Sequence, residues 1–298
     1  MKKIIVYGAG TMGNGIAHSF ALHHFDVVLV DLNRANLEKA EKNIRRNLNR
    51  QIEKGQIDNR EATETIDRLL FLTDATKELP ICDLVIEAVS ENFSIKSKLL
   101  TEVEKLVSKD TVLTSNTSSI SITKIAAQLQ KPEKFLGMHF MNPVPIMELV
   151  EVIKGVQTSQ HTIEKVLSTL LKLDKKPIVV NDYPGFVANK ILMPMINEAI
   201  YTLHEGTATV DAIDQIMQLG MAHPMGPLKL ADFIGLDICL AILKVMQNGF
   251  GNQKYAPCPL LENLVSAKML GVKSGLGFYD WSTDKKKPLV NHYFKNKP

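Results

Sequence analysis

The feature that most restricts what this chain can become lies at its start: Ile4-Ile5-Val6-Tyr7, then Gly8-Ala9-Gly10-Thr11-Met12-Gly13, a helical stretch, then Val27-Val28-Leu29-Val30 and Asp31. A glycine loop alone is a weak signal. Here a strand precedes it, a helix follows it, and an acid stands eighteen positions after the third glycine, the context of a dinucleotide-binding turn. Gly8 makes the tight turn out of the strand, where a side chain would clash. Gly10 lets the backbone approach a pyrophosphate, and Gly13 lets the helix press against the sheet. The helix that begins near Thr11 offers unpaired N–H groups and its positive end to the phosphates, with Ala9 and Met12 completing the loop. Asp31 accepts hydrogen bonds from a ribose 2′-hydroxyl and repels a 2′-phosphate, so the expected cofactor is NAD rather than NADP; Arg34 nearby softens that preference.

At 298 residues the chain has room for about two domains. Its 45% hydrophobic and 22% charged residues are ordinary for a soluble globular protein. No apolar run reaches the length of a membrane span. Two lysines precede a strand that is too short and too glycine-broken for a secretory leader, and no Arg- and Ser-rich transit segment follows. Cys82, Cys239 and Cys258 form no close-spaced pair, which suggests neither a zinc site nor a disulfide framework; no metal is expected, and the expected location is the cytoplasm. A net charge of +3 is too mild to imply a nucleic-acid partner.

Strands are expected over 4–7, 27–31, 83–87, 111–114, 134–139 and 147–153, with helices over 11–24, 33–54 and 93–108. A helix over about 159–173 and a strand over about 176–180 follow. This alternation predicts an α/β fold, a Rossmann-type doubly wound and mostly parallel sheet. Asn181-Asp182-Tyr183-Pro184-Gly185 then gives a dense turn signal, and from Phe186 to Leu270 the periods are helical. The predicted domains are therefore 1–182, nucleotide-binding, and 183–298, all-helical. Residues 186–205 are apolar almost all round, as in a helix buried in a core or against a partner subunit, with Pro194 kinking rather than ending it. The lysine-rich tail, 284–298, is expected to be loosely ordered.

A second informative segment is Gly137-Met138-His139-Phe140-Met141-Asn142-Pro143-Val144-Pro145, leading into Glu148 and Glu151. His139 ends an apolar strand, where open α/β sheets place their ligands. The two prolines force a turn, and the strand that returns carries Glu151. A carboxylate there would hold one imidazole nitrogen protonated and leave the other as a base. Such a pair can take a proton from an alcohol while hydride leaves the same carbon. Ser115-Asn116-Thr117-Ser118-Ser119 also follows a strand, and its hydroxyls suit a substrate oxygen or a nicotinamide, or else a helix N-cap.

GAGTMGNGIA, DLVIEAVSENFSIK, SNTSS, GMHFMNPVPIMELVEV, DYPGFVANKIL, HPMGPLKLADFIGLD and KSGLGFYDW occur in this order. From residue 3 to about 281 the chain thereby resembles the L-3-hydroxyacyl-CoA dehydrogenase family, at the length of its short, single-function members. The resemblance implies an NAD-binding first domain, a helical second domain that forms a homodimer, and a cleft between them that closes on substrate. It implies interconversion of (S)-3-hydroxyacyl-CoA, of short chain, and 3-ketoacyl-CoA. It makes His139 the general base, Glu151 its orienting partner, and Ser118 and Asn189 the groups that hold the substrate oxygen. Glu91, Lys96, Asn142 and Lys273 match contacts to the nicotinamide half of NAD, with Ser118 beside them. Without the resemblance, Lys96 and Lys273 read as ordinary surface lysines and Asn189 as an amide in an apolar helix start.

Coenzyme A also brings phosphates. Lys42, Arg46, Arg50 and Lys54 recur every four residues and form a basic stripe on a helix. Lys54 matches a family lysine near the CoA phosphates, and Asn47 stands where relatives often carry serine. Ser90, before Glu91, is another departure, since an apolar residue is more usual. Glu38, Glu41 and Glu53 could instead neutralise the stripe as a solvated face. A β-hydroxyacid dehydrogenase using a helix lysine, Lys190 with Asn197, is the competing enzyme, but it leaves His139, Glu151 and the proline turn unexplained. A catalytically silent, crystallin-like or cofactor-sensing relative is the non-enzymatic alternative, and every matched catalytic position keeps a competent side chain.

Overall fold

In the computed structural model, which describes residues 1–284 and 286–295, the chain divides into two units, Met1–Tyr183 and Pro184–Pro298. The first runs β1 (Lys3–Tyr7), α1 (Thr11–Leu22), β2 (Asp26–Val30), α2 (Arg34–Glu53), α3 (Asn59–Asp67), β3 (Leu69–Leu72), β4 (Leu84–Glu87) and α4 (Phe93–Glu104). It continues through β5 (Val112–Ser115), α5 (Ile122–Ala126), β6 (Phe135–Phe140), β7 (Leu149–Lys154), α6 (Gln160–Leu171) and β8 (Lys176–Asn181). Side chains start the helices: Asn33 accepts from the Ala35 N–H, Asn92 from Ile95 and Ser159 from Thr162, while Asp58 and Glu61 form a reciprocal capping box.

The eight strands form one sheet in the order β3-β2-β1-β4-β5-β6-β7-β8. β6 and β7 pair antiparallel, and the other neighbours pair parallel. Ile4-Ile5-Val6 and Leu84-Val85-Ile86 are buried on both faces, as central parallel strands require. Buried Leu37, Ala40, Ile44 and Leu48 form the inward stripe of α2. The strand order reverses at β1 and β4, which opens a crevice at their carboxyl ends.

The second unit contains α7 (Ala188–His204), α8 (Val210–Met221), α9 (Pro227–Ile234), α10 (Leu236–Phe250) and α11 (Pro259–Ser266), then a two-stranded ribbon, β9 (Tyr279–Asp280) with β10 (Leu289–Val290). α7 continues through Pro194 and buries Met193, Ile196, Asn197, Ile200 and Leu203, whereas Ile191 is 69% exposed. The expected loose tail is corrected in part. Val290 pairs with Tyr279, Asn291 donates to the Gly277 carbonyl at 2.7 Å, and Phe294 is buried with its ring 5.8 Å from that of Phe278. Aromatic burial outweighs the lysines that surround it. Residues 285 and 296–298 of that expectation lie outside the described residues. Among the described residues no helix is long and apolar enough to cross a membrane.

Candidate active site

The glycine loop follows β1. Gly8 has a φ of +99°, and a Cβ there would lie 2.4 Å from the Ala88 carbonyl oxygen, in the loop after β4. A Cβ on Gly13 would lie 1.7 Å from the Gly8 carbonyl oxygen, so helix and loop pack as closely as glycine allows. A Cβ on Gly10 would meet no atom within 4 Å. Protein packing therefore does not demand that glycine, and the space beside it is a cradle of the kind a pyrophosphate fills. No side chain caps α1, whose N-terminal residues are Thr11 and Met12. The uncapped first turn fits an anion. Asp31, one residue past β2, accepts from the Ala9 N–H at 2.9 Å, from the Asn33 N–H at 2.9 Å and from Asn36 at 3.1 Å. It thus fastens the loop as well as offering a carboxylate edge to a ribose. These residues fit NAD.

His139 and Glu151 are direct cross-strand partners on β6 and β7. Their side chains therefore project from the same face. His139 Nδ1 lies 2.8 Å from Glu151 Oε2, and both residues are buried. A carboxylate only accepts, so Nδ1 carries the proton and Nε2 is the basic nitrogen. Asn142, exposed in the turn between these strands, is joined to Pro143 by a cis peptide bond.

A network that sequence reading missed lies beneath the loops after β4 and β5. Glu87, the last residue of β4, is fully buried. It accepts from Lys96 Nζ at 2.7 Å, from the Val89 N–H at 2.7 Å and from Ser115 Oγ at 2.5 Å. Lys96 is 1% exposed, which corrects its reading as a surface lysine, and its ammonium also lies 3.2 Å from Glu91. Glu91 in turn accepts from Thr117 Oγ1 at 2.5 Å, from the Ser118 N–H at 3.0 Å and from Ser118 Oγ at 3.3 Å. Burial pushes the Glu87 carboxyl up from its ordinary value, against the Lys96 charge and the donated hydrogen bonds. Burial also pushes Glu91 up, but Lys96 and the donors of the serine loop outweigh it and leave that carboxyl below its ordinary range. The structure thus joins Glu91, Lys96 and Ser118. The missed signal was an acid ending an otherwise apolar strand, Leu84-Val85-Ile86-Glu87.

A cleft of about 830 Å³ opens elsewhere in the first unit, lined by Asn47, Arg50, Lys54 and Lys172 against two acids, Glu61 and Asp174. Pro145 and Ile146 of the proline turn form part of its wall. Of the basic stripe, Arg50 and Lys54 line this cleft, while Arg46 bonds to Asn43. In the second unit, Asn189 is buried in the first turn of α7, and Lys273 is ion-paired with Asp237. Both residues of the competing lysine site have other contacts. Lys190 Nζ lies over the Phe250 ring at 4.9 Å, and the Asn197 amide is committed at both ends, to the Ala256 carbonyl and the Cys258 N–H at 2.9 Å each.

Comparison with known proteins supplies the lineage. Residues 3–183 match the family model described as 3-hydroxyacyl-CoA dehydrogenase, NAD binding domain, and residues 185–281 match its C-terminal domain. The chain is 48% identical to a probable 3-hydroxybutyryl-CoA dehydrogenase of Bacillus subtilis, over 94% of this chain and 98% of that one. It is also 48% identical to a 3-hydroxybutyryl-CoA dehydrogenase of Bradyrhizobium diazoefficiens, over 97% and 98%. Among solved structures, the (S)-3-hydroxybutyryl-CoA dehydrogenase of Ralstonia eutropha superposes with a TM-score of 0.91 at 43% identity, covering 95% of this chain and all of that one. With both family domains matched in order across nearly the whole sequence, the chain belongs to the 3-hydroxyacyl-CoA dehydrogenase family.

Proposed function

We propose that this chain is an NAD-dependent (S)-3-hydroxyacyl-CoA dehydrogenase acting on short acyl chains such as 3-hydroxybutyryl-CoA. The observation that carries the reading is the His139–Glu151 contact at 2.8 Å, mounted on two paired strands. NAD, when bound, supplies the hydride acceptor. His139 Nε2 takes the proton of the 3-hydroxyl as C3 gives up its hydride, and Glu151 stabilises the imidazolium that forms. Ser118 and Asn189 hold the substrate oxygen, and the Glu91–Lys96 pair with Asn142 and Lys273 receives the nicotinamide half. Residues 1–182 form the NAD-binding domain, and residues 183–298 form the helical substrate and dimerisation domain. Asn47 and Lys54 meet the CoA phosphates, a role supported by their place in one cleft with Arg50 and Lys172. A homodimer through the helical domain is supported by the exposed apolar residues Ile191, Ile216, Leu219 and Met221. A cytoplasmic location is supported by three buried, free cysteines.

The test is oxidation of NADH by acetoacetyl-CoA, with NADPH and His139→Gln run in parallel. Rapid turnover with NADH, slow turnover with NADPH and loss in the variant are expected. Tight NADH binding without turnover by the unmodified protein would point to a different substrate or a silent member of the family.

A further inference from the structure

The group formed by Glu87, Lys96 and Glu91 contains two carboxylates and one ammonium. Among the described residues their ion pairs are with one another: Lys96 Nζ stands 2.7 Å from Glu87 and 3.2 Å from Glu91. With both acids ionised, the group carries one negative charge in excess. Lys96 and a hydroxyl reach Glu87 as donors, and the Val89 N–H adds a third, so its partners serve the ionised form. Glu87 and Lys96 are buried, whereas the Glu91 side chain is 39% exposed. The charge on buried Glu87 acts over several ångströms with little screening. The nicotinamide ring is cationic in NAD⁺ and neutral in NADH. We propose that Glu87 is a positioning residue which, through Lys96 and Glu91, holds this excess charge under the nicotinamide end of the site and biases the protein toward the oxidised cofactor. The inference rests on the reading of the Glu91–Ser118 loops as the nicotinamide contact. It goes beyond that reading because Glu87 touches neither cofactor nor substrate: its carboxylate is spent on Lys96, Val89 and Ser115.

Affinities of the full-length protein for NADH, by fluorescence titration, and for NAD⁺, by calorimetry, test the proposal without turnover. In E87Q the ratio Kd(NAD⁺)/Kd(NADH) is expected to rise about five-fold. In S115A, which loses a hydrogen bond to Glu87 but no charge, both affinities change together and the ratio stays put. Ser90 is exposed on the same loop, so S90K adds a cation there with little demand on folding. It is expected to raise the ratio as E87Q does, while the neutral S90Q leaves it unchanged. An unchanged ratio in folded E87Q overturns the proposal; should E87Q not fold, an unchanged ratio in S90K overturns it. Failure of the unmodified protein to bind either nucleotide would instead overturn the cofactor reading on which it rests.

Discussion

His139 and Glu151 lie 2.8 Å apart, and in the proposed reaction the histidine depends on that carboxylate for its tautomer and for a counter-charge. Glu151→Gln keeps the shape but removes the charge. Its expected effect is a fall in kcat on the order of a hundred-fold with little change in KM, measured by steady-state kinetics. An unaltered kcat would remove Glu151 from proton transfer. A second histidine makes a prediction about stability. Burial holds the His18 imidazole neutral and lowers its pKa from 6.5 to about 4. The unfolded chain takes up a proton near the ordinary value and the folded chain only near the lowered one. The stabilisation is therefore complete above pH 6.5 and is lost as the pH falls toward 4, in all by about 3 kcal/mol. Thermal melts of H18Q should show a shallower loss of Tm over that window than the unmodified protein. At this scale the pairing of His139 with Glu151 was legible because proline punctuation set two strands side by side. Without the resemblance, Lys96 passes for a surface lysine because a long cation suggests solvent. Its spacing carried the opposite signal, since Lys96, Leu100 and Val103 share one buried face of α4.

Among the elements, the first strand, loop and helix were legible because Gly8 and Gly13 answer separate steric demands and Gly10 leaves open space beside the loop. The clearances at Gly13 and Gly10 differ. Gly13→Ala would drive a methyl into the Gly8 carbonyl and is expected to lower stability by about 3 kcal/mol or more, seen in thermal melts. Gly10→Ala meets no protein atom, so the Tm should hold while NADH affinity falls at least ten-fold. Equal losses of Tm in the two variants would show that the cradle beside Gly10 has been misassigned. α3 and β3 were not legible. Leu69-Leu70-Phe71-Leu72 is a four-residue run without alternation, and it becomes a strand only because the edge of β2 is there to pair with it. The β6–β7 reversal, by contrast, follows from the length and proline content of the connection.

For the molecule as a whole, the two units rest on separate cores. The second is closed by Asp232 on α9. Its carboxylate accepts from the Phe278 N–H at 3.0 Å, the Tyr279 N–H at 2.9 Å and Trp281 Nε1 at 2.9 Å. A Cβ on Gly277 would lie 2.0 Å from that carboxylate, which is why the KSGLGFYDW stretch needs glycine there. Asp232→Ala leaves three buried donors without their acceptor, at a cost on the order of 4 kcal/mol. Calorimetry should show a lowered Tm, with most of the NADH affinity kept at 25 °C, because of the residues proposed to meet the cofactor only Lys273 belongs to this unit. Loss of both together would tie the two units into a single folding transition. Separation by twelve residues on one hairpin also has a consequence for descent. The pair proposed to transfer the proton is written in a single contiguous stretch that recombination can carry intact. The loops proposed to receive cofactor and acyl chain are drawn from dispersed segments. Selection can therefore rework what the protein accepts, segment by segment, and inherit unchanged how it moves the proton.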